Sequence, residues 1–289
     1  MIVMSGAEVA AKLEAELKVE AQAWRAQGRV ATLAAVQVGD DPASSSYVRS
    51  KLKMAERIGI ITRGVHLPAD VEQARVEAEI QRLNEDPSVH GILCQLPLPG
   101  RMDARAVTNR IAPQKDVDGL TAASAGLLAQ GTPSFVPCTP AGILLMLTHY
   151  GIRTAGRTAV VIGRSNIVGR PLSILLSLPG WDATVVLCHS RTPDLKEHAR
   201  RAEILVAAVG KPEFVTADMV REGATVIDVG INRVPDPARP KGYRLCGDVD
   251  YARVAPHCGA ITPVPGGVGL MTVAVLMQNT LHAVRLQQG

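Results

Sequence analysis

Apolar positions recur at helical spacing through Val9, Leu13, Leu17 and Trp24, with Ser5 placed to cap the run and Gly28 to stop it. Residues 30–38 form a near-continuous apolar run, the pattern of a buried strand. A polar stretch at 39–44 leads into a helical pattern over 44–59. Strand patterns follow at 60–67 and 89–96, with a helical pattern at 71–83 between them. This alternation predicts a parallel sheet flanked by helices. Loops rich in Pro, Gly and charge occupy 96–100 and 111–119, and a helix over 139–150 stops at Gly151. A second alternating series then begins, with strands at 158–163, 184–188, 203–209 and 225–229. An apolar helix over 270–286 closes the pattern. The break between the two series falls between Gly119 and Thr139.

One position violates its helix. At about 100° per residue, the 44–59 pattern puts Val48, Leu52, Met54, Ala55 and Ile58 on one stripe and Arg49, Lys53, Glu56 and Arg57 opposite. Lys51 falls on the apolar stripe, between Ala55 and Ile58 and one turn after Tyr47. A lysine there either snorkels to the edge or is used; a desolvated amine can shed its proton and act as a base. Gln95 follows Ile92-Leu93-Cys94, near the C-terminal end of a parallel strand, where ligands of open α/β sheets bind. Asp118 stands before Gly119, a pair that also suits a plain turn.

The second series opens with a strand and a glycine turn, Val160-Val161-Ile162-Gly163-Arg164-Ser165-Asn166-Ile167-Val168-Gly169. Such a turn offers backbone N–H groups and a helix N-terminus to a pyrophosphate. Gly163, Arg164, Ser165, Val168 and Gly169 are therefore candidate cofactor contacts, although Ser165 replaces the second Gly of G-x-G-x-x-G and an empty βα turn has the same shape. The next strand ends in His189-Ser190-Arg191-Thr192 with no carboxylate to hold a ribose 2′-OH. Arg164, Ser190 and Arg191 instead suit a 2′-phosphate, which selects NADP unless these arginines are simply solvated.

Composition narrows the classes. The 289 residues are 47% hydrophobic and 20% charged, a globular balance with length enough for two domains. The net charge is +4, and the basic residues are scattered among only 3% aromatics, so a nucleic-acid partner is not expected. No run approaches the roughly 20 apolar residues of a membrane span, and residues 1–10 lack a signal-peptide pattern. Five cysteines without C-x-x-C spacing imply neither a disulfide framework nor a zinc site, and suit a reducing cytoplasm. No metal is expected.

These motifs together resemble the bifunctional methylenetetrahydrofolate dehydrogenase/methenyltetrahydrofolate cyclohydrolase family. The matching stretches are Val38-Gly39-Asp40, Ser46-Tyr47 with Lys51, Gln95-Leu96-Pro97-Leu98-Pro99, Lys115-Asp116-Val117-Asp118-Gly119, Pro137-Cys138-Thr139-Pro140, the glycine turn, His189 to Thr192, Val226 to Asn232, Gly247-Asp248-Val249 and Pro263 to Gly269. The resemblance implies two α/β domains with the active-site cleft between them, the second Rossmann-like. Residues 1–120 with the helix 270–289 would form the folate-binding catalytic domain, and 121–269 the NADP-binding domain. It implies a cytoplasmic homodimer acting on tetrahydrofolate substrates, NADP as cofactor, and neither nucleic acid nor membrane as partner. Lys51 would be the central catalytic group, oriented by Gln95; Tyr47 would stack on the folate and Asp118 would accept pterin N–H donors. Pro263, Gly266 and Gly267 would let backbone approach the folate, and Ile231 would lie at the nicotinamide end. The chain departs from the family pattern at Ser124, Leu127 and Leu270, where Asn, Arg and Pro are usual; these departures bear on folate affinity. A shikimate- or amino-acid-type dehydrogenase would explain the glycine turn but not Lys51, Gln95 and Asp118 together. A catalytically dead NADP-binding protein would not explain why that set is intact.

Overall fold

A computed structural model describes residues 1–239 and 242–288. In chain order its strands are β1 (Ile2–Val3), β2 (Thr32–Val38), β3 (Ile61–Leu67), β4 (Gly91–Cys94), β5 (Thr158–Ile162), β6 (Thr184–Cys188), β7 (Ile204–Ala207), β8 (Ala224–Asp228), β9 (Asn232–Pro235), β10 (Tyr243–Cys246) and β11 (Cys258–Ile261). Its helices are α1 (Gly6–Ala26), α2 (Pro42–Ile58), α3 (Gln73–Glu85), α4 (Ala104–Thr108), α5 (Ala122–Ala129), α6 (Cys138–His149), α7 (Gly169–Ser177), α8 (Leu195–Arg200), α9 (Tyr251–Val254) and α10 (Val268–Gln288). The chain forms two compact units: one from residues 11–138 with Val273 onward, the other from Met1–Ala10 with Thr139–Thr272.

The first unit holds a three-stranded sheet, ordered β3-β2-β4 and parallel throughout. Every residue of β2 is buried, which is why its sequence is apolar except for Thr32 and Gln37. Its core gathers Ala34, Val36 and Val38 with Val76, Ile80 and Leu83 of α3 and Ile92 and Cys94 of β4. Helix α2 begins at Pro42, two residues before the apolar pattern starts. Asp41 caps it by accepting the Ser44 N–H at 2.7 Å, and proline is preorganised for a first turn.

The second unit holds a six-stranded parallel sheet ordered β1-β11-β8-β7-β5-β6, with β9 and β10 as a separate antiparallel hairpin. The short β1, the hairpin and α5 have no counterpart in the hydrophobic pattern. Two residues are too few to show alternation, and β1 exists because Ile2 and Val3 pair with Ala260 and Ile261 at the far end of the chain.

The units divide the chain differently from the expected 1–120 and 121–269. Residues 1–10 join the six-stranded unit through that β1 pairing and the Met4 N–H on Ile261 O. Residues 121–138 stay with the three-stranded unit, where Thr121 and Ser124 bond to Asp116 and Val136 O takes a bond from Asn279. From Val273 onward α10 packs with the three-stranded unit as well: Arg285 pairs with Glu20, and Gln287 donates to His90 O.

Candidate active site

The α2 stripe is as the spacing predicts. Val48, Lys51, Met54, Ala55 and Ile58 are buried, Leu52 is half-buried, and Arg49, Lys53, Glu56 and Arg57 are exposed. Lys51 does not snorkel: the residue is 6% exposed. Its Nζ donates to Gln95 Oε1 at 3.1 Å, the one hydrogen bond of this amine among the described residues. Gln95 continues the β4 ladder, its N–H on Val36 O at 2.9 Å. Its Nε2 is committed to Leu96 O at 2.6 Å, which turns the amide oxygen toward Lys51. An ammonium has three donors, so this amine keeps hydrogen-bonding capacity for a ligand. Tyr47, one turn earlier, is half-buried.

The loop Lys115-Asp116-Val117-Asp118-Gly119 spends nearly all its polar groups inward. Lys115 Nζ donates to Leu83 O, Asn84 O and Asp86 O at 3.0, 2.7 and 2.8 Å, closing the C-terminus of α3. The buried Asp116 carboxylate accepts the N–H groups of Leu120 and Thr121 and the Ser124 hydroxyl, the last at 2.6 Å. Gly119 has φ +68°, and a Cβ there would sit 2.8 Å from Pro137 N. Asp118 alone keeps a half-exposed carboxylate. It faces the buried Cys138 thiol, which burial and this anion push well above its usual range; nearby Lys51 acts the other way. Burial and Asp118 likewise push Cys94 up to about 12. Tyr47, Lys51, Gln95 and Asp118 thus belong to one unit, with Asp118 and Lys51 each near enough to Cys138 to act on its thiol. Of the departures, Ser124 is absorbed by its bond to Asp116, Leu127 is half-buried and Leu270 is exposed.

The six-stranded unit carries the glycine turn between β5 and α7. A Cβ on Gly163 would lie 2.1 Å from Ala208 O, and one on Gly169 would lie 1.8 Å from Gly163 O. Both glycines are therefore required by the turn itself. Ser165 does not leave the helix amides free as a glycine would: its Oγ accepts the Val168 and Gly169 N–H groups at 3.2 and 3.4 Å. The Val168 side chain is buried, its N–H is taken by Ser165 and its C=O accepts the Leu172 N–H at 2.9 Å, so Val168 shapes the turn and offers a ligand little. Arg164, Ser190 and Arg191 are exposed, and neither guanidinium has an ion pair among the described residues. A close-packed turn, two uncommitted guanidiniums and no carboxylate closing β6 fit a dinucleotide bearing a 2′-phosphate. Ile231 is exposed after β8.

Pro263, Gly266 and Gly267 also lie in the six-stranded unit, and there the backbone they approach is the chain's own. Gly6 N–H donates to Gly266 O at 2.9 Å, and a Cβ on Gly6 would lie 2.0 Å from Gly267 O. Asp228, at the end of β8, and Asp248, in the bend after β10, are both buried; they lie within stretches the resemblance quotes but were given no role there. Asp228 takes the N–H groups of Gly230, Asp248 and Val249; Asp248 takes those of Val209, Gly210 and Lys211 and the Asn232 amide. Together they fix the turns that follow β7 and β8. Burial, partly offset by those donors, pushes Asp228 up to about 7. Glycines at 230 and 247 were the available signal, since a Cβ at either would strike these carboxylates. Among the described residues no group of His, Cys, Asp and Glu could hold a metal.

Comparison with known proteins agrees with this geometry. Residues 4–118 match the family described as "Tetrahydrofolate dehydrogenase/cyclohydrolase, catalytic domain", and residues 137–288 match "Tetrahydrofolate dehydrogenase/cyclohydrolase, NAD(P)-binding domain". The "Bifunctional protein FolD" of Salinibacter ruber is 51% identical over 98% of this chain and 96% of its own. The bifunctional FolD methylenetetrahydrofolate dehydrogenase/cyclohydrolase of Campylobacter jejuni superposes with a TM-score of 0.94 at 42% identity, covering 99% of each chain. The Trypanosoma brucei methylenetetrahydrofolate dehydrogenase-cyclohydrolase, solved with NADP and an inhibitor, does so with a TM-score of 0.94 at 39% identity, covering 99% of this chain and 98% of its own. With both halves matched and half the residues identical along nearly the whole length, the chain belongs to the tetrahydrofolate dehydrogenase/cyclohydrolase family.

Proposed function

We propose how the residues described above divide the work of the family's two reactions: oxidation of 5,10-methylenetetrahydrofolate to the 5,10-methenyl cation, and hydrolysis of that cation to 10-formyltetrahydrofolate. The observation that carries the assignment is the buried Lys51 with a single oriented partner. Arg164, Ser190, Arg191 and the Gly163–Gly169 turn hold NADP in the six-stranded unit, with Ile231 at its nicotinamide end. NADP⁺, when bound, supplies the acceptor for the hydride leaving the methylene carbon.

In the three-stranded unit Tyr47 packs against the folate ring system and Asp118 accepts paired N–H donors from the pterin edge, a charged and geometrically matched contact. Pro263, Gly266 and Gly267 complete the folate contacts. Gln95 holds Lys51 with its free donors toward the substrate. For hydrolysis, a water oxygen bonds to the methenyl carbon while the free amine of Lys51 takes its proton. As the carbon's bond to N5 breaks, the proton on Nζ passes to the departing nitrogen, and the added hydroxyl releases its remaining proton to solvent as the formyl C=O forms. The domain assignment that accompanies this reading is folate on residues 1–120 with the last helix and cofactor on 121–269, adjusted so that residues 121–138 go with the folate unit and 1–10 with the cofactor unit. The reading also includes a cytoplasmic homodimer without nucleic-acid or membrane partners; five buried free cysteines suit the reducing compartment it assigns.

Purified protein given methylenetetrahydrofolate and NADP⁺ tests the assignment by the absorbance bands of NADPH and of the methenyl product. The double variant Arg164→Ala/Arg191→Ala is expected to weaken NADP far more than NAD. Equal losses for the two cofactors would show that these side chains do not read the 2′-phosphate.

A further inference from the structure

The loop that carries Asp118 is tied to a residue more than a hundred positions away. Asn279 lies on α10, buried, in a helix that is otherwise mostly apolar. Its Nδ2 donates to Val117 O at 2.8 Å and to Val136 O at 3.1 Å, and stands 3.8 Å from Cys138 Sγ. Val117 immediately precedes Asp118. Val136 and Cys138 flank Pro137, whose nitrogen crowds Gly119 on the other side of Asp118. The Cys138 thiol reaches Val117 O at 3.5 Å and faces the Asp118 carboxylate. One amide group, with two N–H donors, therefore ties both segments that bracket Asp118, and both donors leave the helix that carries them. The next residue shows the contrast: the Thr280 hydroxyl turns back to Leu276 O of its own helix at 2.7 Å.

Resting on the reading of Asp118 as the pterin acceptor, we propose that Asn279 is a positioning residue of the folate site, setting the place of Asp118 from the last helix without touching the substrate. The other inward bonds of the loop do not do this. Lys115 fixes the loop's entry and Asp116 its exit, whereas Asn279, with the longer Cys138 thiol contact beside it, holds the peptide that joins Val117 to Asp118. Without its donors the Val117 and Val136 carbonyls have no shared anchor, and the Asp118 carboxylate moves with its backbone. A misplaced acceptor weakens a two-point contact more than it slows a proton transfer made by Lys51.

The test compares Asn279→Ala and the milder Asn279→Ser, which retains one short donor, with Asp118→Asn and with Thr280→Val as a packing control. In Asn279→Ala the KM for methylenetetrahydrofolate is expected to rise about tenfold, with kcat and the NADP Kd within about threefold of the parent. Asn279→Ser falls between parent and Asn279→Ala, and Thr280→Val leaves the KM unchanged even where it lowers Tm. The double variant Asn279→Ala/Asp118→Asn binds folate no worse than Asp118→Asn alone, because the two act through one contact. If Asn279→Ala does not fold, Asn279→Ser carries the same comparisons. A raised KM in Asp118→Asn, with both Asn279 variants unchanged or with losses that multiply in the double variant, overturns the proposal and leaves the role of Asp118 standing. An unchanged KM in Asp118→Asn overturns that role and the proposal with it.

Discussion

Lys51 and Lys115 are buried to nearly the same degree in the same unit, 6% and 4% exposed, and they are held in opposite ways. Lys115 spends its ammonium on three backbone carbonyls at the end of α3. Lys51 has one partner, the side-chain oxygen of Gln95. A buried cation is costly unless it is fully hydrogen-bonded. The saturated one therefore holds the chain together, and the unsaturated one stands ready for something that is not part of the chain. Burial alone would have ranked the two alike; the number of partners separates them.

The largest expected effect is on chemistry. Lys51→Met keeps the stripe and removes the amine, so cyclohydrolase activity should fall by about 10²–10⁴, the range for a lost general base. Folding should change by no more than about 1 kcal/mol, since an apolar side chain suits the site. NADP titration and thermal unfolding beside the hydrolysis rate check this, and a near-parental rate would remove Lys51 from the mechanism. Lys115→Met should do the reverse: about 2–4 kcal/mol of stability is lost because three carbonyls lose their donor, while kcat of the folded enzyme is retained. Denaturant unfolding with activity measured at full folding separates the two lysines; equal stability losses would break the comparison.

A smaller effect is expected from giving Lys51 a stronger partner. Gln95→Glu replaces the neutral acceptor with a carboxylate that binds the amine as an ion pair and competes with the substrate for its donors. Hydrolysis should drop about tenfold while the NADP Kd stays within about threefold of the parent. A parental hydrolysis rate would mean that the partner of Lys51 does not set its action.

The smallest effect is felt at a neighbour of Lys115. His90 Nδ1 accepts the Thr32 N–H at 3.2 Å, and burial, with the Lys115 charge, holds its pKa below the ordinary range. As pH falls below about 6.5 the unfolded chain takes up a proton that folded His90 refuses. Stability from this group is therefore present above that pH and is lost on acidification. In Lys115→Met the imidazole should titrate closer to its ordinary value by NMR, and an ordinary value in the parent protein would refute the argument.

The comparison also shows where the sequence was readable. Lys51 stood out because helical periodicity is local: a charge on an apolar stripe is visible within four turns. The glycine turn was visible for the same reason, its strand, turn and helix start being contiguous. Lys115 and Asp116 passed unremarked within a motif where only Asp118 drew attention. Their roles depend on Leu83, Asn84 and Asp86 on one side and Ser124 on the other, and no short-range pattern reports such partners. Asn279 was hidden in what read as a plain apolar helix, its partners at Val117 and Val136 being distant in sequence. The glycines of 263–267 were visible, but Gly6, whose N–H donates to Gly266 O, is brought near them only by the fold. Ser165 shows the converse: a departure from the usual glycine, visible in sequence, whose consequence is a helix cap that the pattern could not supply.

The exchange of segments between the units has a consequence for synthesis. The strand β1 is made more than two hundred residues before its partner β11. The three-stranded unit has its sheet complete by Cys94, yet the helix that anchors its Asp118 loop begins at Val268. Domains made in one stretch can close while the ribosome is still working on the next. Here a nascent chain carries an unpaired sheet edge until Ile261 is made and an unanchored Asp118 loop until Asn279 is made. For the same reason no single cut in the backbone releases the two units as separate pieces. Dissection would require rejoining ends, linking residue 138 to 273 for one unit and 10 to 139 for the other.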